Sequence, residues 1–261
     1  VIETLEIEVK LWQEDKERAG VFAQIGRIYE QRLGDPARAM HYYDSALAVD
    51  PECVLANQAL FDHHFDGRDW AAALPVAQAL AQKAMREGDA ATRSECYRRR
   101  GVVLRENGDP RGAAESVIIA LEIRPTHPEA LDTLAALVRS DPDAFDFDTT
   151  LRELEKVYRK RDDGAPMLAR VLVAQAALAE RAGDLEAAGA LYAQAGELAS
   201  GDYVVLSALV DYYGAMRRWK EAVLAITRFL AASPQPSPEV RVRALLRRAE
   251  IHAEGEMNAQ R

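Results

Sequence analysis

The sequence predicts an all-α chain, built as a string of antiparallel helix pairs joined by short turns. Three observations carry this. Ala, Leu, Glu, Arg and Gln dominate almost every segment and β-branched runs are short, which favours helix from end to end. Turn signatures recur along the chain: LGDP at 33–36, DGRDW at 66–70, NGDP at 107–110, SDPD at 140–143, AGDL at 182–185 and YGAMRRW at 213–219. Apolar and small residues also return at matching offsets in successive segments.

The first element spans residues 2–14, which place Ile2, Leu5, Val9 and Trp12 on one face, as a half-unit packing on the first hairpin. Six hairpins come next, at roughly 19–51, 52–90, 91–125, 126–163, 166–200 and 203–236. Gly ends a helix because it accepts the left-handed cap, and Asp or Pro starts the next one. Turns this short force neighbouring helices antiparallel. Pro51, Pro125 and Pro234 come after second helices and stop them. Two units depart from the pattern. Residues 52–90 carry Pro75 early in a long second helix and lack a closing proline. Residues 126–163 have the wide turn SDPDAFDFD and a second helix, TLRELEKVYRKR, without small residues. A last helix over 238–254, with Val240, Leu245, Ala249 and Ile251 apolar, closes the array, and EGEMNAQR at 254–261 is expected to fray.

The offsets are the sharpest signal. Gly101 is followed by Leu104, Ala113, Val117, Ala120 and Pro125; Gly26 is followed by Tyr29, Ala39, Tyr43, Ala46 and Pro51, with one extra residue in the turn. Ala73 and Leu80 mark the second helix near 69–86, and Ala188, Tyr192 and Ala195 that of 185–199. Tyr213, Ala222, Ile226, Phe229 and Pro234 mark the sixth unit. Small residues let paired helices approach, and larger ones fill the wedges around the crossing. One hairpin cannot bury its own apolar face, so neighbours stack. The series resembles the tetratricopeptide repeat. That resemblance implies a single right-handed superhelical α-solenoid over residues 1–261, with first helices lining a concave groove.

Composition narrows the function. The net charge of -9 makes nucleic acid and anionic membrane poor partners. No apolar run approaches the ~20 residues that span a bilayer. Cys53 and Cys96, the two cysteines, form neither a disulfide framework nor a zinc spacing and fit a reducing, cytoplasmic setting. Arg outnumbers Lys and Ala is abundant, as in a high-GC bacterial source. The chain opens on Val1, without a signal-peptide pattern, and reads as part of a longer protein.

The resemblance to the tetratricopeptide repeat, carried over residue by residue, implies that Gln58, Asp62, Glu95, Arg98, Val102, Arg105, Glu129, Asp132, Arg139, Arg170, Val173 and Glu180 lie on the groove side of first helices. Arg98 and Arg105, seven apart, share a helix face. Arg98, Arg105, Asp132, Arg139 and Arg170 are the expected partner contacts, the arginines suited to carboxylates. The opposing expectation is that Arg98 pairs with Glu95 and Asp132, while Arg99 and Arg100 face solvent. The Lys and Asn clamp of the chaperone-tail-binding subfamily is missing, since Arg27 and Glu30 stand there. Alternating signs favour a mixed-charge peptide or a partner helix. Stacking aromatics do not interleave with the arginines, which argues against nucleic acid.

No catalytic set, cofactor or metal is expected. His63 and His64 diverge by about 100° on a helix, so they do not readily share an ion. The acidic stretch 141–148 lacks the Gly and Glu of a calcium loop and reads as turn capping by Asp141, Asp143 and Asp146. The Gly-Asp turns are not phosphate loops. The reading is a non-catalytic adaptor that binds a protein or peptide. The alternatives are a regulatory or sensor segment of a larger bacterial protein, or a scaffold that self-associates through its terminal helices.

Overall fold

The structure, a computed structural model, describes residues 1–232 and 235–259, with side chains through residue 253. Pro234, the expected stop of the sixth pair, and the side chains of 254–261 lie outside the described residues. The described residues form 14 α-helices. They are α1 (Ile2–Leu11), α2 (Asp15–Ile28), α3 (Pro36–Val49), α4 (Val54–Asp66), α5 (Trp70–Glu87), α6 (Ala90–Glu106) and α7 (Pro110–Ile123). Then come α8 (Pro128–Ser140), α9 (Phe147–Arg159), α10 (Ala165–Arg181), α11 (Leu185–Leu198), α12 (Tyr203–Ala215), α13 (Trp219–Leu230) and α14 (Pro238–Ala259). Among the described residues no helix is long and apolar enough to cross a membrane. The chain divides into two compact units, Val1–Pro125 and Thr126–Arg261. Within each, consecutive helices pair, as in the all-α solenoid class that the sequence predicts.

Aspartate starts half of these helices. Asp35, Asp69, Asp89, Asp109, Asp146, Asp184 and Asp202 each accept a hydrogen bond from a backbone N–H two or three residues on, at 2.7–3.2 Å. These side chains satisfy donors that a helix N-terminus otherwise leaves open.

The pairing itself rests on small residues. Ala39, Ala73, Ala113, Ala188 and Ala222 are each the fourth residue of a second helix, and all are fully buried. Four residues later stand Tyr43, Ala77, Val117, Tyr192 and Ile226, also buried. In the first unit, a Cβ added at Gly101 would sit 2.6 Å from Val117 Cγ2 and 3.1 Å from the Ala113 carbonyl oxygen. At Gly26 the corresponding contacts are Tyr43 Cε1 at 2.7 Å and the Ala39 oxygen at 3.1 Å. Both glycines therefore let α2 and α6 lie directly on the backbones of α3 and α7. A buried hydrogen bond from Ser94 Oγ to the Ala120 oxygen, 2.8 Å, adds a second tie between α6 and α7.

The structure refines several expectations. The extra residue of the first turn is absorbed by a π-helical turn over Tyr29–Leu33, where the Gly34 N–H donates to the Tyr29 oxygen. That keeps Gly26 opposite Tyr43. Gly34, Gly108 and Gly183 take the left-handed conformation expected of turn glycines. In DGRDW and YGAMRRW, however, the left-handed residues are Arg68 and Arg217, with φ of 56° and 55°, while Gly67 and Gly214 do not take it. The position that closes the turn is the one before the helix-starting residue, whatever side chain stands there. α1 ends at Leu11, so Trp12 leaves the packed face and is exposed. In the other irregular unit, α8 and α9 both pack on α10 across the wide 141–146 turn.

Arg68 and Arg217 carry a cost that glycine would remove. Arg68→Gly and Arg217→Gly are each expected to stabilise the protein by about 0.5–1 kcal/mol, read as a higher urea midpoint. An unchanged or lower midpoint would contradict this reading of the turns.

Candidate functional site

In the Thr126–Arg261 unit the first helices α8, α10 and α12 are linked through Arg170. Its Nη1 donates to Asp132 Oδ1 on α8 at 2.7 Å and its Nε to Asp202 Oδ2 at the start of α12 at 2.9 Å. Nη1 also lies 3.3 Å from the Pro128 carbonyl oxygen. Arg170 and Asp202 are largely buried, with side chains 16% and 13% exposed, so that arm of the fork is shielded from water, while Asp132, at 41%, leaves the other arm in contact with it. Burial pushes the Asp132 carboxyl above its ordinary value, against the pull of Arg170.

Beyond this tie, the same three helices and α11 bound a cavity of about 540 Å³. Arg139 reaches it from α8, Val173 and Glu180 from α10, and Tyr203, Ser207 and Asp211 from α12. Tyr192 of α11 closes one side, and its hydroxyl donates to Glu180 Oε2 at 2.6 Å. Its ring lies 4.9 Å from that of Tyr212, whose hydroxyl donates to the Leu185 carbonyl at 3.0 Å. Gly189 makes room for that phenol: a Cβ there would stand 2.6 Å from the Tyr212 oxygen. Asp211 accepts from Arg247 of α14 at 3.0 Å. The site thus offers aromatic and aliphatic walls, one exposed guanidinium and two carboxylates already engaged.

The tyrosines give the fold an alkaline limit. Burial and then the Glu180 hydrogen bond push the Tyr192 phenol well up; burial pushes Tyr158 up to about 12. In the first unit the Glu6 hydrogen bond pushes Tyr42 up to about 12, and burial followed by Glu30 raises Tyr43. Unfolded tyrosine titrates near 10. The folded chain holds these protons more tightly, so their contribution is full below pH ~10 and is lost as pH rises from there towards 12. Urea midpoints between pH 8 and 11 are expected to be flat and then fall. Tyr192→Phe should cost about 1.5 kcal/mol at pH 7 and make the alkaline fall shallower. A midpoint insensitive to pH above 10 would contradict this.

Of the five expected contacts, Asp132 and Arg170 meet each other and Arg139 stands at the cavity. Arg98 and Arg105 lie on α6 in the Val1–Pro125 unit. Arg98 grips Glu95 with Nε and Nη2, at 2.7 and 2.6 Å, and Arg105 bonds Glu106 at 3.0 and 2.6 Å. Arg99 does not face solvent. It bonds Asp62 at 2.6 Å and lies over the rings of Phe61 and Phe65, 4.3 and 4.8 Å from their centroids. In the acidic turn Asp146 caps α9, while Asp143 accepts from Arg181 at 2.8 Å and Asp141 from Ser140 at 2.6 Å. His64 Nδ1 lies 3.9 Å from Asp69. The α12 residues escaped the sequence reading, although Tyr203, Ser207 and Asp211 recur at four-residue spacing on a first helix. Tyr192 was legible as a core ring only.

Residues 21–55, from within α2 through α3 to the start of α4, match the family model of the tetratricopeptide repeat. No curated protein matches the chain. Among solved structures, a tetratricopeptide repeat protein from Parabacteroides merdae superposes with a TM-score of 0.51 at 16% identity, covering 92% of each chain. BtubC (BKLC) from P. vanneervenii gives a TM-score of 0.44 at 18% identity, over 80% of this chain and 94% of its own. The APC/C hetero-tetramer Cut9-Hcn1 gives 0.43 at 16% identity, over 94% of this chain and 46% of its own. The resemblance read from the Gly, Ala, Tyr and Pro offsets is borne out, and the first of these likenesses supports the fold.

Proposed function

We propose that this tetratricopeptide-type array is a non-catalytic module that binds a protein segment on the first-helix face of its Thr126–Arg261 unit. Repeats of this fold generally serve as protein–protein interaction modules. The observation that carries the reading is the cavity between α8, α10 and α12, with Arg139 exposed beside Val173 and Tyr203. Arg170 braces the three helices from below, so the face is rigid before a partner arrives and little ordering cost falls on it. The segment that fits is a peptide or helix of mixed charge. An acidic residue on it meets Arg139, an apolar residue enters between Val173 and Tyr203, and the Glu180 and Asp211 side favours a basic or polar neighbour.

Selection of a random peptide library on the wild-type chain tests this. Selected peptides are expected to carry an acidic residue close to an aromatic or aliphatic one. Arg139→Glu should weaken them about tenfold, equivalent to ~1.4 kcal/mol. Peptides that bind equally well to Arg139→Glu and to Ser207→Arg would refute the assignment.

A further inference from the structure

Of the five arginines of α6, three are held by acids of the chain and two are not. Arg98, Arg99 and Arg105 bond carboxylates at 2.6–3.0 Å. Arg93 and Arg100 make no hydrogen bond or ion pair among the described residues, and the Nε of each is buried without an acceptor. Asp89, four residues before Arg93, feels its charge but uses its carboxylate to cap α6 through the Thr92 N–H at 2.7 Å. The Arg100 guanidinium lies 5.9 Å from the Tyr97 ring centroid.

The repeat shows what usually stands at these positions. Counted back from Gly101 and Gly26, Arg100 takes the place of Ile25, which is fully buried in one cluster with Val9 of α1. Tyr97 takes the place of Phe22, packed against the same cluster. Arg93 takes the place of Arg18, which bonds Asp15 at 3.2 Å, but the counterpart of Asp15 is Ala90. One position has thus exchanged an apolar side chain for a charge, and the other has lost the acid that would hold its arginine. Neither change serves packing, because a charged donor shut from water without an acceptor destabilises the fold. Breaks of a local rule without a gain to the fold point to function. Arg93, Tyr97 and Arg100 stand at i, i+4 and i+7 and are each partly exposed. They share one face of α6, about 140° around the helix from Arg98 and Arg105.

We propose that Arg93 and Arg100 form a docking face for an acidic segment of a partner protein. This face belongs to the Val1–Pro125 unit and does not rest on the reading of the Arg139 cavity. Swinging outward onto a carboxylate, each guanidinium gains the acceptor that its Nε lacks and can engage it as a fork. The Tyr97 ring between them meets the aliphatic stem of the partner's acid. Residues seven apart stand about 10.5 Å apart along a helix, a spacing that two glutamates at i and i+7 on a partner helix reproduce. The chain as a whole carries -9, so the attraction is local to these two cations, and the contact is weak and sensitive to salt.

Fluorescence anisotropy tests this, with a labelled alanine-rich helical peptide carrying glutamates at i and i+7, titrated with the full 261-residue chain at low salt. Saturable binding is expected, weakened about fivefold by Arg93→Gln and by Arg100→Gln and unchanged by Arg98→Gln or Arg139→Gln. Arg100→Leu separates function from folding. It restores the apolar residue that Ile25 supplies in the first pair, so the urea midpoint should rise while peptide binding falls as it does in Arg100→Gln. A midpoint that drops instead would mean that Arg100 holds the fold, and would overturn the proposal. So would a peptide that fails to saturate, or binding that survives both glutamine variants. Loss of binding in Arg139→Gln alone would move the peptide to the cavity between α8, α10 and α12. Tighter binding of a labelled single-stranded oligonucleotide through the same two arginines would assign the face to nucleic acid and equally refute the acidic segment.

Discussion

Gly101→Leu is expected to destabilise the Val1–Pro125 unit by about 3 kcal/mol and to lower its thermal midpoint by about 10 °C. The added side chain has nowhere to go. Its Cβ alone would stand 2.6 Å from Val117 Cγ2, a β-branched side chain with restricted rotamers, and 3.1 Å from the Ala113 backbone oxygen. Either α6 must lift off α7 or the Val117 side chain must leave its well, and the buried Ser94 hydrogen bond resists the first. Gly26→Leu should behave alike against Tyr43 and Ala39. Gly20 supplies the control. It lies inside α2 with nothing within 4 Å of a prospective Cβ. Gly20→Ala should therefore stabilise by about 0.5–1 kcal/mol, the ordinary gain of alanine over glycine in a helix. If Gly101→Leu proved as harmless as Gly20→Ala, the small residues would not be setting the helix spacing.

Arg170→Met should cost the Thr126–Arg261 unit about 3 kcal/mol, because it strands carboxylates that the guanidinium now satisfies. Most of that falls on Asp202, whose side chain is 13% exposed; Asp132, at 41%, recovers water and loses less. Arg170→Lys should restore only part, since a point charge cannot fork between two helices. In a double-mutant cycle, Asp202→Asn is expected to relieve much of the Arg170→Met penalty. The Asn amide oxygen still accepts from the Val204 N–H, while the stranded charge is gone. Urea unfolding of the four chains reads the coupling directly. Additive effects within a few tenths of a kcal/mol would mean that Arg170 does not tie α10 to the start of α12.

The helices and their pairing were legible because both come from local rules and short spacings. The i, i+4, i+7 series Ala39, Tyr43, Ala46 and Ala113, Val117, Ala120 reads directly as a buried stripe, and Gly-Asp-Pro reads as a turn. An extra residue before Asp35 was visible too, but nothing local says whether a loop or a π-turn will absorb it; the Gly26–Tyr43 contact decides. Arg68 and Arg217 were illegible for a different reason. A left-handed arginine is locally unfavourable, and only the closure of the turn imposes it. At the candidate site, the offsets put Arg139, Val173 and Glu180 on one wall of the cavity. They could not tell which charges the chain would consume itself. Arg98, Arg99 and Arg105 found acids within their own unit, and Arg170 found two on neighbouring helices. That pairing depends on tertiary distances which a linear spacing does not contain.

The most direct test of the account is an amide chemical-shift titration of the chain with a library-selected peptide. The account predicts saturable shifts concentrated on α8, α10 and α12, led by Arg139, Val173, Ser207 and Asp211, with Arg170 already rigid in the free protein. Shifts confined to α9, α11 and α13, or spread evenly over the molecule, would contradict it.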